Sequence, residues 1–195
     1  MRVWVGDVPA PNDTGDTGTV DCGDADTPSI ECATAVDFVD HATPLVEAEY
    51  GDCQLHLVNA SGLGPDGTVD TDPDFPDFGW QISFLCPGTR VTYFYTDHLT
   101  ASGMAPVVTD VDLDFDYSDF ADVATGLLDS PEVMALYFDD GCPEIPSTAP
   151  ASLVIQSTTA PDYVASYGIT GNDVSWIVYL DADLQPNMDA ACYPP

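Results

Sequence analysis

The chain has 195 residues, of which 45% are hydrophobic, enough for the core of one ordinary domain. Its 34 acidic residues (29 Asp and 5 Glu) stand against two basic ones, Arg2 and Arg90, for a net charge of −32. That balance excludes nucleic acid as a partner and electrostatic docking on an anionic membrane, because the chain cannot neutralise rows of phosphates. The charge itself favours either solubility through mutual repulsion or a setting in which cations screen it.

The first eight residues alternate valines with Trp4 and predict a short N-terminal strand. Residues 9–29 are acidic, of low complexity and nearly free of large apolar groups, which is typical of a linker. A lone strand is unstable in water, so it must pair with a sheet edge in its own body or in another copy. The candidate strand-donor residues are Arg2, Val3, Trp4, Val5 and Val8.

The body of the protein, residues 30–195, reads as one domain of short strands at regular spacing. Abundant Asp, Thr, Pro and Gly and the lack of a strand–helix rhythm favour an all-β, antiparallel β-sandwich, jelly-roll or immunoglobulin-like, with the N-terminal extension strand. Short helices are expected within 34–50 and 118–129. The predicted strands are Cys53–Asn59, Trp80–Cys86, Val91–Asp97, Val107–Tyr117, Glu132–Phe138, Ser152–Ser157, Tyr163–Ile169 and Ser175–Leu180.

The six cysteines show no Cys-x-x-Cys spacing, so disulfides are favoured over a metal centre. Disulfides place the protein in an oxidising compartment, secreted or at the cell surface. The start of the chain shows no signal peptide, so we expect the numbering to begin at the mature chain. The strand pattern predicts the pairs Cys53–Cys86, Cys142–Cys192 and Cys22–Cys32.

Two acidic segments could hold calcium, since hard cations prefer carboxylate oxygens. In a strand over residues 110–117, alternate aspartates share one face, which indicates either a solvated edge protected by charge or a cation-binding face. Residues 70–74 alternate aspartates as calcium loops do, but the segment lacks the glycine and the glutamate of an EF-hand. The candidate ligands are Asp70, Asp72, Asp74, Asp110, Asp112 and Asp114, with Asp116 continuing the second pattern.

Enzyme motifs are missing from the sequence. There is no Gly-x-Ser-x-Gly, His-Glu-x-x-His, Gly-x-Gly-x-x-Gly or phosphate-binding loop, and the three histidines, His41, His56 and His98, are scattered. Several aromatic residues could form a sugar-binding platform or could fill the core, as large rings usually do. The platform candidates are Trp80, Tyr93, Phe94, Tyr95, Trp176 and Tyr179.

The sequence therefore predicts a structural, non-enzymatic subunit of an extracellular filament or surface assembly. Its partners are other copies of itself, joined head-to-tail by N-terminal strand addition and stabilised by disulfides and calcium. No run of 18 apolar residues is present, so no transmembrane segment is expected. The alternatives are a secreted calcium-dependent adhesion or carbohydrate-binding module and, third, a secreted hydrolase.

Overall fold

The computed structural model describes residues 23–24, 27–30, 32–69, 78–96, 106–110, 122–145, 151–158, 163–171, 175–181, 183, 185 and 192. These ranges contain the helices α1 (Ala35–Tyr50) and α2 (Ser130–Asp139) and a 3-10 helix at Val123–Gly126. The strands are β1 (Gly23–Asp24), β2 (Thr27–Pro28), β3 (Gln54–Leu63), β4 (Gly79–Cys86), β5 (Thr89–Thr96), β6 (Val107–Asp110), β7 (Ala151–Ser157), β8 (Ala165–Thr170) and β9 (Ser175–Leu180). The predicted N-terminal strand, residues 1–8, lies outside the described residues.

One antiparallel sheet of seven strands dominates this part of the chain, in the order β6-β5-β4-β3-β7-β8-β9. Each strand is antiparallel to its neighbours, and β6 and β9 form the two edges. A separate pair, β1 and β2, lies within the segment that the sequence identifies as a linker. The central strand β3 carries a bulge at His56, so that Leu55 pairs with Phe84 and Leu57 with Ser83.

Both helices pack on one face of the sheet, which we call the inner face. Phe38 of α1 lies with its ring centroid 4.6 Å from that of Tyr95 and 5.8 Å from that of Trp80. Tyr137 of α2 meets Trp176 edge-on at 5.9 Å. The inner face is apolar along every long strand and almost fully buried; its residues include Val58, Ala60, Ile82, Phe84, Val91, Tyr93, Leu153, Ile155, Tyr167, Ile169, Val178 and Leu180.

The prediction of an all-β antiparallel fold is confirmed, because the sheet forms the body of the described structure. The second sheet of a sandwich is not found among the described residues, where α1 and α2 cover the inner face. The helix expected within 34–50 is present as α1. The strand predicted at Glu132–Phe138 is wrong, since those residues belong to α2.

Helix α2 forms because the residues at its start carry strong helix-capping signals, although its interior is apolar enough to suggest a strand. Asp129 is the N-cap, Pro131 occupies the first turn, and the Glu132 carboxylate accepts a hydrogen bond from the Asp129 backbone N–H at 3.0 Å. Val133, Met134 and Tyr137 then share one buried face with helical spacing. The local capping signal outweighs the strand propensity of Val133, Tyr137 and Phe138.

The beginnings of the two helices are joined by a single carboxylate. Asp129 accepts hydrogen bonds from the backbone N–H groups of Ser130 (2.8 Å) and Val36 (3.1 Å), and the Thr34 hydroxyl lies 2.9 Å away. The hydroxyl oxygen of Ser130 in turn accepts a hydrogen bond from the Ala35 N–H at 3.1 Å. Burial raises the pKa of Asp129, while these hydrogen bonds act in the opposite direction. Asp129 thus caps α2 and at the same time satisfies the Val36 N–H in the first turn of α1.

Replacing Asp129 by Ala should destabilise the fold by about 2–3 kcal/mol, because it removes a helix cap and leaves two part-buried donors unpaired. Asp129→Asn, which keeps an acceptor oxygen, should cost about half as much. The free energy of unfolding in urea measures both. As a control, Asp40→Ala removes the same charge from an exposed position of α1, and its free energy of unfolding should stay within about 0.5 kcal/mol of wild type. Equal losses of stability in the Asp129 and Asp40 variants would contradict the bridging role.

Two disulfides brace the described structure as the sequence predicts. Cys53 immediately precedes β3 and Cys86 ends β4, so their Cα atoms lie opposite each other, 4.3 Å apart, at one end of the paired strands. Cys142, which follows α2, is joined to Cys192 at a Cα separation of 5.6 Å. Cys32 also takes part in a disulfide. Its predicted partner, Cys22, lies outside the described residues.

Candidate functional site

Most of the residues that the sequence singles out for assembly or calcium binding lie outside the described residues. These are the strand-donor residues 2–5 and 8 and the candidate calcium ligands Asp70, Asp72, Asp74, Asp112 and Asp114. Asp110 ends the edge strand β6, where its backbone pairs with Thr89. Within the described part of the chain, no three His, Cys, Asp or Glu side chains come together as metal ligands would.

The two described histidines have separate structural partners. His41 Nδ1 of α1 lies 2.9 Å from the hydroxyl of Tyr95, an inner-face residue of β5 that pairs with Trp80. His56 Nδ1, at the bulge of β3, lies 2.6 Å from the hydroxyl of Ser157 on β7. Burial, and secondarily the positive charge of Arg90, lowers the pKa of His56. Both histidines therefore tie elements of the fold together, and His98 lies outside the described residues.

The aromatic residues divide between the core and the surface. Trp80, Tyr93, Tyr95 and Trp176 are buried on the inner face, which confirms the core interpretation for them. Phe94 is half-buried, whereas Tyr179 is 42% exposed. The six residues therefore do not form one aromatic platform. Tyr179 is the member of this set that is exposed to solvent.

Among the described residues, β9 is an edge strand, and its own sequence lacks the usual protection against further pairing. Its sequence, Ser-Trp-Ile-Val-Tyr-Leu, contains no charge, proline or glycine, and its six pairs with β8 run without a bulge. On its outer side Ile177 is 47% exposed. The other edge, β6, comprises Val107–Asp110 in the described part of the chain. Natural edge strands are kept apart by charge, proline, bulges or short length, and β9 shows none of these.

A groove crosses the outer face of β7, β8 and β9, the face opposite the helices. Gly168 forms its floor, because the residues that pair with it on either side are Val154 of β7 and Ile177 of β9. Gln156, Ser166 and Tyr179 form the next row of cross-strand partners along the groove. The cavity measures about 200 Å³ and none of its lining residues is charged.

The Tyr179 ring is held in place by a second tyrosine. Tyr163, just before β8, lies with its ring centroid 5.3 Å from that of Tyr179 at an interplanar angle of 42°. The backbone next to Tyr163 is bonded to β9, since the Val164 N–H donates to the Leu180 carbonyl at 2.9 Å. Tyr179 therefore lines the groove with a second aromatic ring packed beside its own.

Sequence reasoning finds the strands of this region but misses the groove. Ser175–Leu180 is apolar at five of six positions, so alternation cannot show which of its residues face the core. The sequence does contain one signal of the groove, the glycine Gly168 inside a strand. A glycine in such a position often marks a close approach of another molecule or a gap in the side-chain surface.

Comparison with known proteins gives no family. No family model matches the chain, and no curated protein matches its sequence. The crystal structure of a candidate lipoprotein from Clostridium difficile 630 is similar over 80% of this chain and 92% of that chain, with a TM-score of 0.46 and 8% sequence identity. At this level the similarity indicates neither membership of a family nor a function.

Proposed function

We propose that this chain is a structural, non-enzymatic subunit of an extracellular or cell-surface assembly. Its disulfides are compatible with an extracellular or surface location, because such bonds persist in oxidising compartments. Neither described helix is long and apolar enough to span a bilayer. In the proposed assembly, residues 1–8 of one copy add as a strand to edge strand β9 of the next.

The observation that carries this proposal is the edge at β9, to which no further strand is paired among the described residues. An added strand would gain main-chain hydrogen bonds along six uncharged residues, and one set of its side chains would continue the inner face beside Trp176 and Val178. Val3 and Val5 have the two-residue spacing that such a position needs. Strand addition that does not close on itself joins copies head-to-tail into a filament.

Calcium belongs to this proposal as an aid to assembly. Copies with a net charge of −32 repel one another, and a cation held by the Asp70–Asp74 or Asp110–Asp114 segments would reduce that repulsion. Assembly and thermal stability measured in calcium and in EDTA test this part separately. An unchanged melting temperature and unchanged assembly in EDTA would remove calcium and leave strand addition standing.

Deletion of residues 1–8 should leave a folded monomer that no longer assembles. The matched control replaces the same eight residues by a Gly/Ser octapeptide of equal length, which should behave like the deletion. Sedimentation velocity and electron microscopy of the full chain and both variants measure the result. Assembly that persists in the deletion variant contradicts strand donation. A full chain that is monomeric but more stable than the deletion variant shows pairing within one molecule instead.

A further inference from the structure

We propose that the groove on the outer face of β7–β9 binds one ring of a neutral saccharide. This site is separate from the edge at which strand addition is proposed, because it opens on the face of the sheet and not along the margin of β9. It would give an extracellular protein a carbohydrate-recognition surface whatever its state of assembly.

The shape of the groove is produced by a missing side chain between two apolar ones. Gly168 pairs across the sheet with Val154 and Ile177, so its lack of a Cβ leaves a depression with apolar walls. At about 200 Å³ the cavity is smaller than the 300–1,000 Å³ pockets that enclose drug-sized ligands. It therefore suits a single ring of a longer chain that lies across the sheet.

The chemistry of the lining matches the two sides of a sugar ring. The exposed ring of Tyr179, oriented by Tyr163, offers an aromatic face to the apolar C–H surface of a pyranose. The carboxamide of Gln156 and the hydroxyl of Ser166 stand in the neighbouring row and can bond to hydroxyl groups at the edge of the ring.

Charge selects a neutral ligand. A chain with a net charge of −32 repels anionic glycans, phosphates and acidic peptides. A cation would require carboxylate ligands, and the groove lining contains none. The lining offers an aromatic ring, a carboxamide and a hydroxyl but no charge, so an uncharged, hydroxyl-rich ligand is the best match.

Glycan binding should be measured with the full-length protein on an array of neutral and acidic oligosaccharides, followed by titration calorimetry with the strongest neutral ligand. Tyr179→Ala should weaken that binding about tenfold or more, whereas Tyr179→Phe, which keeps the ring, should remain within about threefold of wild type. Affinity should change little with added salt, because the ligand carries no charge.

Gly168→Val separates a binding defect from a folding defect. A Cβ at this position would lie 3.8 Å from Ile177 and from the Trp176 carbonyl oxygen, which is ordinary contact, so the variant should fold with an unchanged or higher melting temperature. Its side chain would nevertheless occupy the groove and abolish binding. Wild-type protein that binds no neutral glycan, or equal affinity in wild type, Gly168→Val and Tyr179→Ala, overturns the proposal. Preferential binding of acidic glycans or of a peptide overturns it as well.

Discussion

Reduction of the Cys53–Cys86 disulfide should lower the free energy of unfolding by about 3–4 kcal/mol. The bond spans 33 residues, and opening a loop of that size restores chain entropy of this order to the unfolded state. It also closes the end of the β3–β4 pair at the centre of the sheet, where Leu55 and Phe84 are buried. The melting temperature should fall by roughly 6–16 °C, given about 2–4 °C per kcal/mol for a chain of this size.

The measurement is urea unfolding of the oxidised protein and of a Cys53→Ala/Cys86→Ala double variant. The double variant removes both sulfurs and avoids unpaired thiols that could exchange with the remaining disulfides. A matched Cys142→Ala/Cys192→Ala variant opens a loop of 50 residues and should show a loss of similar size. Unfolding of the first double variant at the same urea concentration as the wild type would contradict a structural role for this bond.

Salt should stabilise the protein, with a melting temperature roughly 5–10 °C higher in 1 M NaCl than in 0.1 M. A net charge of −32 destabilises the compact state through self-repulsion, and the distance over which charges act shrinks from about 10 Å to about 3 Å across this range. This rise in melting temperature corresponds to a few kcal/mol in the free energy of unfolding. An equal osmotic concentration of sucrose separates charge screening from general exclusion effects.

A variant with three exposed acidic residues neutralised tests the same self-repulsion in a second way. Asp40, Glu47 and Asp52 are exposed, and the last turn of α1 has no basic residue to balance the acids near its C-terminal end. Asp40→Asn/Glu47→Gln/Asp52→Asn should therefore raise the melting temperature at 0.1 M NaCl and reduce its dependence on salt. A wild-type melting temperature that falls or stays constant as salt rises would show that self-repulsion is not a significant term.

The elements that the sequence predicts well are those whose signal is local and unambiguous. Trp80–Cys86 alternates cleanly enough to locate β4 and to place Cys86 opposite Cys53, and that placement predicts their disulfide. The error at α2 arises where two local signals compete, because the apolar run 133–138 has strand propensity while Asp129 and Glu132 cap a helix.

The features that sequence reasoning misses depend on pairing between distant strands. The bulge at His56 places Leu55 and Leu57 on opposite faces of the sheet, although simple alternation puts them on the same face. The outer groove exists only because Gly168 is aligned with Val154 and Ile177, residues whose register no single strand reveals. The packing of helices on the inner face, in place of a second sheet, is likewise a property of the assembled structure.

The central proposal, that residues 1–8 add to the β9 edge, is tested most directly by nuclear magnetic resonance. A synthetic peptide of residues 1–8 would be titrated into isotopically labelled protein that lacks them, with a Val3→Asp/Val5→Asp peptide as control. The predicted result is saturable shifts of the backbone amides of Ser175–Leu180, with Val107–Asp110 of the opposite edge unchanged and no binding of the control peptide. No binding, or shifts confined to β6, would contradict the proposal.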